Sequence, residues 1–323
     1  MSKLFKLIAI FAISVSAIST QAADVVPVRT EQAPGFFRAG VGRVTVTALY
    51  DGYIGIAPTL LKGMSADDIQ TLLTRMFQAS DNGIQTAVNA FLVHTGKNLV
   101  LVDAGAASCF GQTMGNIVAN IKAAGYRPED IDTVLLTHMH PDHICGLVDA
   151  SGKAVFSRAT VWGAKSEADF WLDKKVEMAA PEGHRPFFQM AQHAIEPYAH
   201  AGRFKTFSPG DQLVAGFSAV PSPGHTPGHT SYLLQSGQEG LLIWGDIIHA
   251  HAVQLAHPEV SIEFDVTPAQ AIESRKEVLE RVAQQRLMVA GAHMPFPGMG
   301  HLGKETQGYS WVPVEFGPIK SAE

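Results

Sequence analysis

Cysteine is scarce in this chain of 323 residues, which contains two, Cys109 and Cys145. So few cysteines exclude a disulfide scaffold and a cysteine-based metal cluster. Any metal site must therefore use histidine and carboxylate side chains, and the sequence holds 14 histidines.

The sequence also lacks a large excess of charge of one sign. Lys and Arg total 24 against 30 Asp and Glu, and no run of basic residues interrupts the sequence. Nucleic acid is recognised by clustered Lys and Arg, so we expect no nucleic-acid partner. Hydrophobic residues make up 46% and charged residues 17%, which excludes a disordered chain and indicates a sizeable core.

The one long apolar run lies near the N-terminus, where residues 7–18 are apolar apart from two serines. Lys3 and Lys6 precede it, and the small residues Thr20 and Ala22 follow it. The run is shorter than the roughly 20 residues that cross a bilayer, and the pattern is typical of a cleaved signal peptide. We expect a signal peptide at 1–22, one domain at 23–323, and a mature protein in the periplasm or outside the cell, without membrane contact.

An oxidising compartment allows Cys109 and Cys145 to pair. They lie 36 positions apart, a spacing that does not reveal whether the two thiols meet. We favour two buried thiols, with a disulfide as the alternative.

Turn residues and apolar runs divide the rest of the chain into short elements. Residues 44–50 alternate and predict a strand that ends at Asp51-Gly52, and 88–95 with 99–102 predict a hairpin. Helices are predicted over 112–124, 163–173, 186–201 and 267–285, and buried strands over 133–136, 241–244 and 287–290. Interleaved strands and helices favour two packed sheets with helices outside.

The strongest chemical signal is residues 137–143, Thr-His-Met-His-Pro-Asp-His. His138 and His140 are alternate residues after a buried strand, so their side chains share a face. Asp142 and His143 begin the next helix and point to a second position. Two sets of imidazole and carboxylate ligands from one turn suit two neighbouring zinc-like ions.

Further polar residues follow the later buried strands. His225 stands in Pro-Gly-His-Thr, Asp246 in Trp-Gly-Asp and His293 in Gly-Ala-His. Sites of α/β proteins collect where strands surface at one edge of a sheet. We therefore expect these three residues to meet the 137–143 turn.

These motifs, in this order, resemble the metallo-β-lactamase superfamily of binuclear hydrolases over most of the mature chain. The resemblance implies an α/β fold, an αββα sandwich of two mixed sheets flanked by helices. It implies one metal held by His138, His140 and His225, a second held by Asp142, His143 and His293, and Asp246 as the bridge between them.

The resemblance also implies two divalent ions, zinc first, with manganese, cobalt or iron as alternatives. Such a pair lowers the pKa of a shared water, so that a bridging hydroxide attacks a carbonyl or phosphoryl centre. Asp142 would then pass a proton to the leaving oxygen. The resemblance implies that Asp103 orients a ligand histidine. It also implies that His229 lies beside the centre and is not a ligand.

Residues 292–314 look like those of the secreted branch of methyl parathion hydrolases and related lactonases, whose members are dimers with aromatic pockets. By position, Phe110, Phe170 and Phe187 are the pocket candidates here. Such rings suit a flat, apolar substrate with one ester bond. Phe36 and Phe37 are candidates to cover a partner in a homodimer.

Within that branch, lactonases often carry a tyrosine three residues after the bridging aspartate, where this chain has His249. Histidine can also donate a hydrogen bond to a lactone carbonyl, and Ile262 and Phe264 would narrow the pocket. We therefore predict a lactonase or aryl esterase, acting on a small-molecule ester or lactone, with promiscuous phosphotriesterase activity.

An organophosphate (methyl parathion) hydrolase is the first alternative, and an acyl-homoserine lactonase is another. A glyoxalase II-like thioesterase is disfavoured because its anionic substrate needs a basic cluster, and only Lys304 follows His293 closely. A β-lactamase, a diiron redox protein and a metal-binding protein without activity remain as further alternatives.

Overall fold

The structure, a computed structural model, describes residues 26–319. The expected signal peptide at 1–22 lies outside these residues, so it and the single domain at 23–323 stay predictions. Residues 26–33 contain no helix or strand, and a separate compact unit begins at Pro34. Within the described range, none of the helices has the length and apolar character of a membrane span.

Two mixed sheets form the centre of the unit that begins at Pro34. The first has seven strands, in spatial order β1 (Phe36–Val41), β2 (Val44–Ile56), β4 (Ile84–His94), β5 (Leu99–Val102), β6 (Thr133–Leu135), β7 (Thr160–Ala164) and β8 (Phe204–Phe207). The second has six, in spatial order β15 (Tyr309–Pro313), β14 (Met299–Lys304), β13 (Met288–Ala290), β11 (Glu239–Ile243), β10 (Thr230–Ser236) and β9 (Phe217–Pro221). A small sheet pairs β3 (Leu61–Lys62) with β12 (Ser261–Ile262).

Eight α-helices accompany the sheets within the described residues. They are α1 (Ala66–Arg75), α2 (Ile117–Ala123), α3 (Pro141–Ile144), α4 (Lys165–Trp171), α5 (Lys174–Ala179), α6 (Arg185–His200), α7 (His251–Gln254) and α8 (Pro268–Gln285). Helices α2, α4 and α6 pack on the first sheet, and α8 packs on the second.

Burial on both faces of the strands produces the layers. Leu101 of β5 faces the helices, whereas its neighbours Val100 and Val102 face the second sheet. On the second sheet, Ile243 of β11 packs between the sheets, and Leu242 packs on α8. Because successive strand residues point to opposite faces, a strand covered on both sides is apolar throughout. The predicted αββα sandwich is confirmed.

Predicted helices and strands are confirmed where the local sequence contains residues that begin or end such elements. The helix predicted over 267–285 is confirmed as α8, and the predicted hairpin as β4 and β5. The predicted end of the first strand at Asp51 is wrong: β2 runs on to Ile56 through a bulge between Tyr50 and Gly52. A β-bulge adds one unpaired residue to a strand without ending its pairing with the neighbouring strand. The extra residue here is Asp51, and its carboxylate is buried.

The preference for two buried thiols is also wrong, because Cys109 and Cys145 are joined by a disulfide. The loop after β5 folds back onto the end of α3, an approach that chain spacing does not encode. Phe36 and Phe37 lie half-buried on β1 and pack against the clusters of their own chain. The homodimer therefore stays a prediction.

Candidate metal centre

The centre lies where neighbouring strands end at one edge of the sandwich. The 137–143 turn follows β6, Asp103 follows β5, and these two strands are parallel. In the second sheet, Asp246 follows β11 and His293 follows β13, again a parallel pair. Carboxyl ends of parallel strands meet at one sheet edge, which is how residues distant in sequence come together.

Four side chains form the first group of potential ligands. His140 Nδ1 lies 3.0 Å from both His138 Nε2 and His225 Nε2. Asp246 Oδ2 lies 3.3 Å from His225 Nε2 and 3.5 Å from His138 Nε2. All four ligand atoms lie within 4.8 Å of one another.

A second group shares Asp246. His143 Nε2 lies 3.2 Å from Asp246 Oδ1 and 3.4 Å from Asp142 Oδ2. His293 Nε2 lies 3.0 Å from Asp246 Oδ2 and 3.4 Å from Asp142 Oδ2. The structure thus brings together all seven residues that the sequence motifs picked out, in the two sets that the family resemblance implied.

The buried polar atoms of the centre fit a pair of cations. His143 Nδ1 lies 2.9 Å from Asp103 Oδ2, and this contact directs its Nε2 toward Asp246. His143 Nε2 and Asp246 Oδ1 are both buried without a hydrogen-bond partner among the described residues. Buried polar atoms without a hydrogen-bond partner are rare and need an explanation. Convergent imidazole and carboxylate lone pairs are the donor set of zinc and similar divalent ions.

Burial and neighbouring charges decide the protonation of the centre. Burial lowers the pKa of His138 and His140 well below the usual value, and adjacent imidazoles add to this effect. Burial also opposes charge on His225, but hydrogen bonds with Asp246 and Asp265 raise its pKa to about 9. Burial opposes ionisation of Asp246, yet the histidines around it hold its pKa well below the usual range. The carboxylate is therefore an anion, the form that binds a cation.

Asp103 orients ligands of both groups. Its Oδ2 accepts hydrogen bonds from His143 Nδ1 at 2.9 Å and from Thr137 Oγ1 at 2.8 Å, and Thr137 Oγ1 lies 3.1 Å from His138 Nδ1. Asp103 adopts φ 62°, a left-handed conformation that is uncommon outside glycine. The position predicted for Asp103 beside a ligand histidine is thus observed.

Asp265 orients the ligand histidine His225, as Asp103 orients His143. The sequence motifs did not identify Asp265. Its Oδ1 lies 2.9 Å from His225 Nδ1, and its Oδ2 accepts the Ile262 N–H at 3.1 Å. The buried Arg275 guanidinium lies 3.7 Å from that oxygen. Burial opposes ionisation, but the hydrogen bond from His225 outweighs it and lowers the pKa of Asp265 to about 2. Nothing in the local sequence marks this aspartate, because its partner is 40 residues away.

Replacing Asp265 by asparagine tests its role. Asp265→Asn keeps the shape but removes the charge that fixes the His225 ring, so we expect metal affinity to fall roughly 10- to 100-fold. Competition with a chromophoric zinc chelator measures this affinity directly. Asp211→Asn, at an exposed turn, is the matched control. Unchanged zinc affinity in Asp265→Asn would contradict the orienting role.

Glu167 ties the two ligand-bearing loops together and was also missed. Its Oε1 accepts the Met139 N–H at 2.9 Å, and its Oε2 accepts Thr226 Oγ1 and the Gly228 N–H, each at 2.8 Å. A Cβ at Gly228 would collide with the Glu167 backbone, so this close approach needs glycine. The spacing of Glu167 and the buried Trp171, one helical turn apart on α4, was a usable signal of a buried face.

His229 supports Asp246 and does not belong to either ligand group. Its Nε2 accepts the Asp246 N–H at 3.0 Å, and its Nδ1 lies 3.0 Å from the Ser222 carbonyl oxygen. Gly245, at φ 56°, passes so close to the His229 ring that a side chain there would clash. The structure therefore places His229 beside the centre, as expected from the motif.

His249 also lies at the centre. Its Nε2 is 3.1 Å from Asp246 Oδ2, its ring stacks on His293 at 4.9 Å, and its buried Nδ1 has no partner among the described residues. Burial lowers the pKa of His249 to about 4, so the ring is neutral and carries one N–H. In this arrangement that N–H donates to Asp246. The role of donor to a lactone carbonyl stays a prediction and requires the ring to present its N–H to the substrate.

Aromatic rings flank the centre. The rings of Trp171 and Phe187 lie 5.2 and 6.3 Å from His140, and Phe110 stands edge-on to Phe187 at 6.5 Å. On the other side, the 38% exposed Phe264 lies 6.3 Å from His249. Phe187 and Phe264 thus neighbour histidines of the centre, and Phe110 lies behind Phe187. These are three of the five predicted pocket residues.

The other two predicted pocket residues pack elsewhere. Phe170 contacts Trp171 and Phe188 in the core, because adjacent helix residues point about 100° apart and Trp171 takes the direction toward His140. Ile262 is fully buried in β12, paired with Leu61. Its contribution is the backbone N–H that holds Asp265.

The fold is an αββα sandwich, and its centre offers two groups of side chains that could each hold a metal ion. A family model of the metallo-beta-lactamase superfamily matches residues 83–293. The chain therefore belongs to the metallo-beta-lactamase superfamily.

Solved structures resemble it over most of its length. The hydrolase AbOPH of the beta lactamase superfamily is 40% identical, with a TM-score of 0.86 over 89% of this chain and 100% of that one. AidC, a dizinc quorum-quenching lactonase solved with the product N-hexanoyl-L-homoserine, is 30% identical, with a TM-score of 0.81 over 88% of this chain and 99% of that one.

Curated relatives match over shorter segments. A probable metallo-hydrolase from Mycobacterium bovis is 26% identical over 184 residues, 52% of this chain and 58% of that protein. An N-acyl homoserine lactonase from Bacillus cereus is 26% identical over 127 residues, 39% of this chain and 42% of that protein. The chain thus spans about half the length of these relatives. Its homologues include metallo-hydrolases and lactonases.

Proposed function

We propose that this chain is a metal-dependent hydrolase that opens lactones and aryl esters. The observation that carries the proposal is a buried binuclear donor set bordered by partly exposed aromatic rings. The similarity of the chain to AidC, a dizinc lactonase, supports both zinc as the metal and a lactone as the substrate. Membership of the branch of methyl parathion hydrolases stays part of this proposal.

The aromatic rings favour a flat apolar substrate. Phe187 and Trp171 border His140 on one side, and Phe264 borders His249 on the other. Apolar walls around a few polar groups bind the body of a ligand while the polar groups orient its reacting bond. A cyclic or aromatic ester has both parts.

The protein residues hold the donors ready for the metals and the substrate. Bound divalent ions would supply a Lewis acid for the ester carbonyl and lower the pKa of water. Asp103, Asp265 and the Ala87 carbonyl oxygen bond the Nδ1 atoms of His143, His225 and His293, which aims each Nε2 at the centre. Asp142 is the most open acid of the centre, with 15% of its side chain exposed. We assign it the transfer of a proton to the leaving oxygen.

A direct comparison of three substrates tests the proposal. We expect the zinc-loaded protein to show a kcat/KM for dihydrocoumarin or N-hexanoyl homoserine lactone about 100-fold above that for methyl paraoxon, since one oriented hydrogen bond to a developing oxyanion has about this effect. A preference for methyl paraoxon would contradict the lactonase assignment in favour of the organophosphate alternative. Turnover of none of the three would contradict the proposed hydrolase.

The variant His249→Leu separates two roles of His249. We expect it to reduce the lactone preference from about 100-fold to below about tenfold, because leucine removes the N–H available to a lactone carbonyl. Equal losses on lactone and phosphotriester would show that His249 acts on Asp246 alone. Phe77→Ala is a suitable control, because this aromatic side chain is 98% exposed.

The location of the protein and its assembly are further parts of the proposal. Disulfides persist in oxidising compartments, so the Cys109–Cys145 bond supports export by the signal peptide at 1–22 to the periplasm or beyond. We keep the homodimer and minor phosphotriesterase activity as proposals drawn from the family resemblance.

A further inference from the structure

The segment that carries Phe110 lies beside the aromatic rings that flank the centre. Residues 106–115, here called the Phe110 loop, connect the turn at Asp103 with α2. Phe110 stands edge-on to Phe187 at 6.5 Å, and Phe187 lies 6.3 Å from His140. Phe110 is thus separated from His140 by one aromatic ring, that of Phe187.

The two ends of the Phe110 loop are held by one buried carboxylate. Asp51 Oδ2 accepts the Ala106 N–H at 2.8 Å, and Asp51 Oδ1 accepts the Gly115 N–H at 3.1 Å. Asp51 itself has no exposed surface. The base of the loop is thus fixed, but these contacts do not reach its tip.

The tip of the loop borders open space. A cavity of about 890 Å³ is lined by Ala107, Ser108, Cys109 and Gly111 on the loop side and by Met190 and Ala194 of α6 on the other. Inside the tip, the Cys109 N–H bonds the Ala106 carbonyl at 2.9 Å, and the Gly111 N–H reaches the Ser108 carbonyl at 3.5 Å. Ser108 and Gly111 at the tip are exposed, whereas Phe110 packs against the cluster of Val88, Ala106 and Met114. Exposed residues with few packed contacts allow a segment to move.

The disulfide connects this tip to a fixed part of the centre. Cys145 follows α3, the helix that carries Asp142 and His143, and is 5% exposed. On either side of Cys145, the Gly146 N–H bonds the Gly105 carbonyl at 3.0 Å, and the His143 carbonyl accepts the Ala104 N–H at 2.7 Å. The disulfide therefore fixes the position of Cys109, the residue before Phe110.

We propose that the Cys109–Cys145 disulfide sets substrate specificity by holding Phe110 against Phe187. The disulfide is a positioning element, and Phe110 is the residue that meets the substrate. The inference rests on the proposed function to the extent that the substrate is an apolar ester.

Steady-state kinetics of Cys109→Ser test the inference. We expect KM for dihydrocoumarin to rise about tenfold, while KM for the smaller γ-butyrolactone rises less than about twofold, because only the larger ester reaches the aromatic wall. Reduction of the wild type with a phosphine should produce the same change in this KM ratio. The phosphine should leave Cys109→Ser unchanged, which controls for effects of the reductant on bound metal.

A double-mutant cycle shows whether the disulfide acts through Phe110. If it does, Cys109→Ser has no further effect on the KM ratio in a Phe110→Ala background. An equal rise in that background, or a loss of thermal stability with an unchanged KM ratio, would overturn the inference. The second result would show that the disulfide stabilises the fold alone.

Hydrogen exchange keeps this test separate from the test of function. If neither ester is turned over by the oxidised, zinc-loaded protein, the proposed function fails. The positioning of Phe110 by the disulfide is then tested by amide exchange at residues 107–112, which should become at least about tenfold faster in Cys109→Ser while α2 stays protected. Unchanged exchange in the loop would overturn it.

Discussion

Replacing Asp246 by asparagine should lower kcat/KM roughly 1,000-fold or more and reduce bound zinc from two equivalents to about one. Asp246 is the one residue shared by the two ligand groups. Asparagine has the same shape, so the expected loss comes from charge and lone pairs and not from packing.

The contacts of the two carboxylate oxygens explain the size of this effect. Oδ1 lies 3.2 Å from His143 Nε2, and Oδ2 lies within 3.5 Å of four other imidazoles, those of His138, His225, His249 and His293. In asparagine, one oxygen becomes an NH₂ group, which donates hydrogen bonds and cannot bind a cation. The substitution therefore removes a ligand and places a donor where a cation would lie.

Metal content and activity must be measured on the same preparation. Asp169→Asn, an exposed aspartate paired with Lys165, is the matched control and should keep two zinc equivalents and full activity. Circular dichroism should show Asp246→Asn folded. A variant that retains two zinc ions and activity within about tenfold of the wild type would contradict the bridging role of Asp246.

Replacing Glu167 by alanine should lower the free energy of unfolding by about 3–5 kcal/mol and reduce kcat/KM of the folded protein by roughly 10- to 100-fold. The stability loss arises because three buried donors, the N–H groups of Met139 and Gly228 and the Thr226 hydroxyl, lose their acceptor. The activity loss arises because these donors lie in the loops that carry His138, His140 and His225.

Glu177 provides the control for Glu167. It is 7% exposed, and its carboxylate accepts hydrogen bonds from Lys174, Gln189 and Gln192, none of which lies in a ligand loop. Glu177→Ala should therefore destabilise the fold without lowering kcat/KM per folded molecule. Chemical denaturation gives the stability of each variant, and metal titration with kinetics gives the activity. Equal kcat/KM for the two variants would show that Glu167 is structural only.

The sequence by itself determined the elements whose signals are local. Pro268 starts α8 where predicted, because proline fits the first turn of a helix and suits few other helical positions. The motifs around His138, His225, Asp246 and His293 are also local, since each combines a short apolar strand with a polar residue at its end. These motifs picked out the seven residues that meet at the centre, and their resemblance to the metallo-β-lactamase superfamily implied the αββα fold.

Tertiary structure alone decided which groups support those residues. Asp265 bonds His225 across 40 positions, and Glu167 bonds Gly228 across 61. The side chain of Asp51, expected in a turn, instead holds both ends of the Phe110 loop from a bulge in β2. The pairing of Cys109 with Cys145 belongs to the same group. A buried polar group must find a partner wherever the fold supplies one, and the identity of that partner depends on packing in space and not on neighbours in the chain.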